Sequence, residues 1–347
     1  MAIAKSILDL VGNTPMVYLD RLRASVNKGK GARVAAKLEM FNPGSSVKDR
    51  IGLPMIRAGE KAGLLKPGGT IVEPTSGNTG LGLAMAASLL GYRMVCAVPD
   101  KIPKEKQDLL KAYGAELIVC PTSVDADDPR SYYKQAERLR DEEGAYLPYQ
   151  YYNAANPTAH YKTTGPEIWE QTGGKVTHFV AGMGTGGTIS GTGKFLHEAS
   201  NGRRKPAGRV QVVGVDTVGS VYTNFHKTGK FPKDTHQYLI DGIGEDFMPT
   251  TVWWDEIDAV QQVSDEDAFL MQAKLAREEA LFSGSSAGAA VHAALKVAKG
   301  LPSTALVVTL LPDIGDRYLS KFNIEWMEAK GLTKAPSYLR KMSKRGA

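Results

Sequence analysis

The sequence predicts an α/β protein made of two doubly wound domains. Three observations carry that reading. Apolar runs of strand length alternate with helical runs along most of the 347 residues, the pattern of parallel sheets covered by helices. The length suits about two domains at ~150 residues each. Loops of small residues join several strands to the helices that follow, where such sheets place their ligands.

In order, Thr70–Pro74 reads as a strand that leads through a polar loop to a helix from Leu81 to Leu90. Arg93–Pro99 is the next strand, and the helix Pro103–Tyr113 stops at Gly114, since glycine suits the left-handed residue after a helix end. Glu116–Cys120 leads into a helix over Ser131–Glu143. Strands at Val176–Ala181 and Arg209–Asp216 flank a helix at Thr188–Ala199. A helix spans Asp265–Ala280, with Ser264 and Asp267 at capping-box spacing. A second spans Ala287–Lys299, followed by a strand at Ala305–Leu311 and a helix at Asp316–Ala329.

Hydrophobic residues make up 42% and charged residues 23%, with 37 glycines spread along the chain. That is a globular composition and excludes collagen, a disulfide scaffold and a largely disordered chain. No apolar run reaches the ~18 residues of a membrane span, and the N-terminal MAIAKSILDLVGNTP lacks the apolar stretch of a signal peptide. A cytoplasmic protein without membrane contact is expected. The net charge of +6 is largely a tail effect: Lys334, Arg340, Lys341, Lys344 and Arg345 account for +5, with no acid after residue 330. The tail reads as a solvated end rather than a nucleic-acid arm. Cys96 and Cys120 lie in strand-like runs, at no metal or redox spacing, and are expected to be buried, inert thiols. The six histidines form no HExxH pair, so no metal is expected.

Four segments carry the chemistry. Thr75-Ser76-Gly77-Asn78-Thr79-Gly80 joins a strand to a helix. It is either a capped glycine turn or a carboxylate site built from helix-start N–H groups and hydroxyls. Gly182-Met183-Gly184-Thr185-Gly186-Gly187-Thr188 also follows a strand and opens a helix, as a phosphate cradle does. Gly182, Gly184 and Gly187 match GxGxxG, which leaves a nicotinamide-dependent dehydrogenase as a rival. Its ribose acid would be Asp216, 29 residues after Gly187 against ~20 in that motif. Ser283–Gly288 is a third small-residue helix start, a cap or a site. Fourth, Lys48 stands among small residues in Asn42–Arg50 at a helix start. A lysine there is electrostatically disfavoured, and is better explained as an amine bound in a Schiff base. A phosphate cradle, a lysine, a carboxylate loop and a neutral hydroxyl together suit pyridoxal phosphate handling an amino acid.

With these motifs in hand, the chain resembles the pyridoxal-phosphate β-replacement family, the cysteine synthases and cystathionine β-synthases. The likeness runs from about Ile7 to Gly331 through VGNTP (11–15), NPGSSVKDR (42–50), EPTSGNTG (73–80), GTGGT (184–188), DGIGEDFMP (241–249) and GSSAG (284–288). It implies a fold-type-II architecture with the cofactor between a smaller mobile domain, 46–149, and a larger one, 1–45 plus 150–330. The basic tail 331–347 lies beyond both. It implies that Lys48 forms the internal aldimine and that Asn78 partners the cofactor's 3′ oxygen. Gly184, Thr185, Gly186, Gly187 and Thr188 would hold the phosphate, and Ser286 would face the pyridine nitrogen. Thr75, Ser76, Thr79 and Gln150 would take the substrate carboxylate. Tyr151 and Gly244 would line the second-substrate side. A serine hydroxyl cannot keep the pyridine nitrogen protonated as a carboxylate would, so the ring is a weaker electron sink and suits prompt elimination to an aminoacrylate, which a thiol then attacks.

Segment 242–249 and the ending KFNIEWMEAKG (321–331) look more like cystathionine β-synthase than cysteine synthase. The implied reaction is L-serine plus L-homocysteine to L-cystathionine and water, with cysteine synthesis from O-acetyl-L-serine and sulfide as the alternative. Asp241, Glu245 and Asp246 are either a charged surface or acids for the ammonium of homocysteine. Neither a haem-binding extension nor a regulatory module that binds S-adenosylmethionine is expected. Small-molecule amino-acid and thiol substrates and a homodimer are implied by the resemblance.

Overall fold

The structure is a computed structural model that describes residues 3–75, 77–201, 208–322 and 324–332. Ser76 and the basic residues Lys334, Arg340, Lys341, Lys344 and Arg345 lie outside the described residues. In chain order the elements are β1 (Met16–Tyr18), α1 (Asp20–Asn27), β2 (Arg33–Leu38), α2 (Asp49–Lys61), β3 (Thr70–Pro74), α3 (Asn78–Leu90) and β4 (Arg93–Pro99). They continue with α4 (Lys104–Ala112), β5 (Glu116–Cys120), α5 (Tyr132–Glu143), α6 (Ala155–Lys162), α7 (Thr164–Gln171), β6 (His178–Gly182), α8 (Gly187–Ser200) and β7 (Gln211–Thr217). The chain closes with α9 (Tyr222–Thr228), β8 (Ala259–Val263), α10 (Asp265–Glu278), α11 (Ser285–Lys299), β9 (Leu306–Leu311) and α12 (Ile324–Ala329).

Two compact units emerge. The first takes Met1–Gly12 with Phe41–Ala159, and the second Asn13–Met40 with His160–Ala347. The first holds a parallel three-stranded sheet in the order β3-β4-β5, packed around Ile51, Met55, Ile71, Leu81 and Leu83. Leu8 and Ala155 pack on this core, which is why the N-terminal residues and the start of α6 belong to it. The second unit holds a six-stranded sheet in the order β1-β2-β9-β6-β7-β8. Only β1 runs antiparallel to its neighbour. Its core joins Val34, Val180, Val215 and Val307 to the alanine-rich, largely buried α11.

α3 is buried on all sides, nine of its residues lying in the core, so its fit depends on size. A Cβ on Gly52 of α2 would stand 2.3 Å from the Gly82 carbonyl oxygen, and one on Gly82 would stand 2.6 Å from that of Lys48. Two glycines therefore let α2 and α3 cross nearly backbone to backbone. Both cysteines are buried, and burial drives the Cys96 thiol well above its ordinary pKa.

The expected helix over Asp316–Ala329 is broken. Gly315–Lys321 forms 3-10 turns with Tyr318 at φ −134°, and α12 starts afresh at Ile324. The buried Tyr318 donates its hydroxyl to Asp313 Oδ2 at 2.5 Å, an anchorage that a continuous helix would not keep. At α10 the Ser264 oxygen accepts the Asp267 N–H, and the Ser264 hydroxyl lies 2.9 Å from the Asp267 carboxylate.

Candidate active site

In the first unit the site begins at Lys48, the half-buried N-cap of α2. Its N–H donates to Ser46 Oγ at 3.2 Å. The loop before it is fastened at two points. Gly12 N–H donates to Asn42 Oδ1 at 2.8 Å, and Gly44 N–H to the buried Asp49 carboxylate at 2.6 Å. Asp49 thus answers the positive end of α2 from within its own first turn. Gly82 of α3 abuts the Lys48 carbonyl, so α3 sets where the lysine backbone lies.

The loop after β3 enters α3 through Gly77 at φ 133°, a conformation that requires glycine. The Thr75 hydroxyl oxygen accepts the N–H groups of Gly77 and Gly80, at 3.1 and 3.4 Å. Thr75 therefore caps α3 with its oxygen and keeps its proton to donate. Asn78 opens the helix, half-buried. Thr79 donates its hydroxyl to Gln150 Oε1 at 2.5 Å, and both residues are buried. With its oxygen held in this way, Gln150 offers its amide N–H groups as the donors for a carboxylate. The half-buried Tyr151 follows in the same turn.

In the second unit the glycine loop after β6 opens α8, a helix of 14 residues. A Cβ on Gly184 would stand 2.4 Å from the Gly242 carbonyl oxygen, and one on Gly186 would meet Val252 at 2.3 Å. The Gly184 carbonyl accepts the Tyr222 hydroxyl at 2.6 Å and the Thr185 carbonyl accepts the Thr251 hydroxyl at 2.5 Å. Thr185 Oγ1 accepts the Gly187 N–H at 3.4 Å. Thr188 meets the buried His160 across 3.2 Å, and His160 meets Thr164 across 2.8 Å. Ser286, 4% exposed, sits in the first turn of α11, where Ser285 Oγ accepts the Asp241 N–H. A Cβ on Gly242 would lie 4.0 Å from Ser286 Oγ. Gly244 has φ 82°, packs against Thr217 and Tyr238, and donates its N–H to the Met183 carbonyl at 2.7 Å.

The residues fit a phosphorylated cofactor that condenses with an amine. Two loop carbonyls, those of Gly184 and Thr185, are tied to hydroxyls, no acid lies between Gly182 and Gly193, and α8 begins there with its N–H groups. In the first unit Lys48 carries an amine, and in the second Ser286 carries a neutral hydroxyl. The nucleotide alternative fares worse. Asp216 is fully buried, its carboxylate taken by Thr217 N–H, Thr223 N–H and the Thr223 hydroxyl. Asp241 forms an ion pair with Lys321 at 2.6 Å. Among the described residues no cluster of three or more His, Cys, Asp or Glu could hold a metal, and no helix is long and apolar enough to cross a membrane.

Sequence reasoning missed four supporting residues, Glu73, His160, Tyr222 and Thr251. Glu73 is fully buried, and its two carboxyl oxygens accept the N–H groups of Tyr149 and Gln150 at 2.8 and 2.9 Å. Its place beside the loop motif was the only available signal.

The chain matches the family described as pyridoxal-phosphate dependent enzyme over residues 7–313. It is 42% identical over 334 residues to a cystathionine β-synthase of Rattus norvegicus, covering 96% of this chain and 58% of that protein. The likeness to a cystathionine β-synthase of Apis mellifera is 41% over 331 residues, covering 95% of this chain and 63% of that one. The chain thus spans less than two thirds of the length of these relatives. Among solved structures, an O-acetylserine dependent cystathionine β-synthase from Helicobacter pylori superposes with a TM-score of 0.79 at 39% identity, covering 92% of this chain and 99% of that chain. The architecture is that of the fold-type-II enzymes, and the chain belongs to the family of pyridoxal-phosphate dependent enzymes.

Proposed function

We propose that the protein catalyses β-replacement on L-serine by L-homocysteine, giving L-cystathionine and water. The observation that carries this reading is the Lys48, Ser286 and 184–188 set, in a chain 42% identical to a named cystathionine β-synthase over 96% of its length. By the family resemblance, Lys48, Asn78, Gly184 to Thr188 and Ser286 are the residues that would hold pyridoxal phosphate. When bound, that group withdraws electrons from the substrate's α-carbon and eases loss of the β-substituent.

The chain's own residues do the rest. Gln150 and the Thr75 hydroxyl bind the substrate carboxylate and orient the α-hydrogen, with Thr79 in the same subsite. The amine of Lys48 takes the α-proton and delivers it, as ammonium, to the leaving oxygen. Ser286 donates or accepts a hydrogen bond without imposing a charge. The family resemblance gives Tyr151 and Gly244 to the thiol. The same residues serve O-acetyl-L-serine as donor, a second reading favoured by the likeness to the Helicobacter pylori enzyme, and cysteine synthesis with sulfide is the nearest alternative. We further propose a cytoplasmic homodimer.

Product analysis tests the reading. Purified protein with pyridoxal phosphate is given L-serine plus L-homocysteine, or O-acetyl-L-serine plus sulfide, and the products are weighed by mass spectrometry. Cystathionine from serine is expected, with Lys48→Ala losing at least ~10³-fold in rate. Cysteine from the second pair without cystathionine from the first would overturn the choice of substrates.

A further inference from the structure

Glu73 is a buried carboxyl with no part in the chemistry above. It is the penultimate residue of β3, just before the loop that enters α3. Nothing polar is gained for the fold by a carboxyl in that apolar surrounding unless it answers particular donors. It answers two consecutive ones, Tyr149 N–H on Oε2 at 2.8 Å and Gln150 N–H on Oε1 at 2.9 Å. Tyr149 is held at φ 55°, a left-handed conformation that a tyrosine adopts only under constraint. Asn156 fixes the other side of the turn by donating to the Gln150 carbonyl at 2.9 Å. The outcome is a fixed Gln150 side chain whose oxygen takes the Thr79 hydroxyl at 2.5 Å.

We propose that Glu73 is a positioning residue for substrate recognition: by holding the Tyr149–Gln150 turn, it aims the Gln150 amide donors at the carboxylate of the amino-acid substrate. The inference rests on the reading of Gln150, Thr75 and Thr79 as the carboxylate subsite. Glutamine at position 73 would place an NH2 group against one of the two N–H donors, so one hydrogen bond is lost and Gln150 is released while the shape of the core is kept. A residue that merely supported the fold would alter stability without altering which ligand is preferred.

The test uses holoenzyme at about pH 9, above the raised pKa of about 8 at Glu73 so that both its oxygens accept, and two probes, L-serine and L-serinamide, without thiol. Dissociation constants come from the visible absorbance of the bound cofactor during titration. Wild type should prefer the acid. Glu73→Gln should weaken L-serine binding about tenfold, the worth of one hydrogen bond to a charged group, with L-serinamide little changed and cofactor loading retained. Gln150→Leu should do the same, and the double variant should be no worse than Gln150→Leu, because both act through one group. Additive losses in the double variant, or a Glu73→Gln enzyme with the full preference for the acid, would overturn the proposal. So would a Glu73→Gln chain that fails to fold while Glu73→Met, which lacks an oxygen acceptor, folds and keeps that preference. If neither variant folds, Glu73 belongs to the fold of its unit and the assignment falls. A wild type that binds both probes equally would instead defeat the carboxylate-subsite reading.

Discussion

Burial raises the pKa of Glu73 to about 8, against the pull of the Gln150 and Tyr149 N–H groups. Between the ordinary glutamate value of ~4.3 and about 8, the native chain therefore keeps a proton that the unfolded chain releases. Stability should fall as pH rises through that window. Urea midpoints taken from about pH 5 to about pH 9 should decline for wild type relative to Glu73→Gln, and parallel curves would contradict the account. At Ser286, substitution by Asp should leave cofactor binding intact, seen as a retained visible band, yet slow β-replacement, because a carboxylate would hold the ring nitrogen protonated. Full turnover in that variant would count against the role given to the hydroxyl. Lys48 stands out in the sequence because its neighbours form a local motif. Glu73, Tyr222 and Thr251 do not, because their partners lie 77, 38 and 66 residues away in sequence, and only the fold brings them together.

The crossing of α2 and α3 carries the alignment of Lys48 with the carboxylate loop of its unit. Alanine at Gly52 gains ~1 kcal/mol in helix propensity, but its Cβ would stand 2.3 Å from a backbone carbonyl oxygen, and overpacking of that kind costs about 1–3 kcal/mol. Gly52→Ala should therefore lower the melting temperature and weaken cofactor uptake, both readable by thermal melts with and without pyridoxal phosphate. A more stable variant with unaltered uptake would show that the contact yields. The strands β3, β4 and β5 were read from sequence to the residue, because their apolar runs are bounded by turns. β2 escaped notice since a lysine interrupts it. Lys37 is fully buried and paired with Glu167 at 2.7 Å and Gln171 at 2.9 Å, so a polar residue sits where the pattern demands an apolar one. β8, AVQQV, has too little apolar character to stand out. The break before α12 goes with the Tyr318–Asp313 bond, a contact reaching back 5 residues that the helical pattern does not announce.

Each of the two units has its own hydrophobic core, a condition under which two-state unfolding commonly fails. Calorimetry on the cofactor-free protein should show two transitions, and a single one with equal calorimetric and van't Hoff enthalpies would show that the units unfold together. The α/β class and the order of most elements followed from periodicity alone. The assignment of chemistry needed the ordered motifs, because a GxGxxG loop by itself admits a nucleotide as readily as a phosphorylated cofactor. The central claim is that Lys48 carries pyridoxal phosphate in a site that acts on L-serine. The most direct test is the visible absorption spectrum of wild type and Lys48→Ala, each supplied with pyridoxal phosphate, before and after addition of L-serine. Wild type should show a visible band that shifts when serine is added, and Lys48→Ala should show no serine-driven turnover beyond that shift. A wild type with no visible band, or a Lys48→Ala enzyme that converts serine at the wild-type rate, would contradict the account.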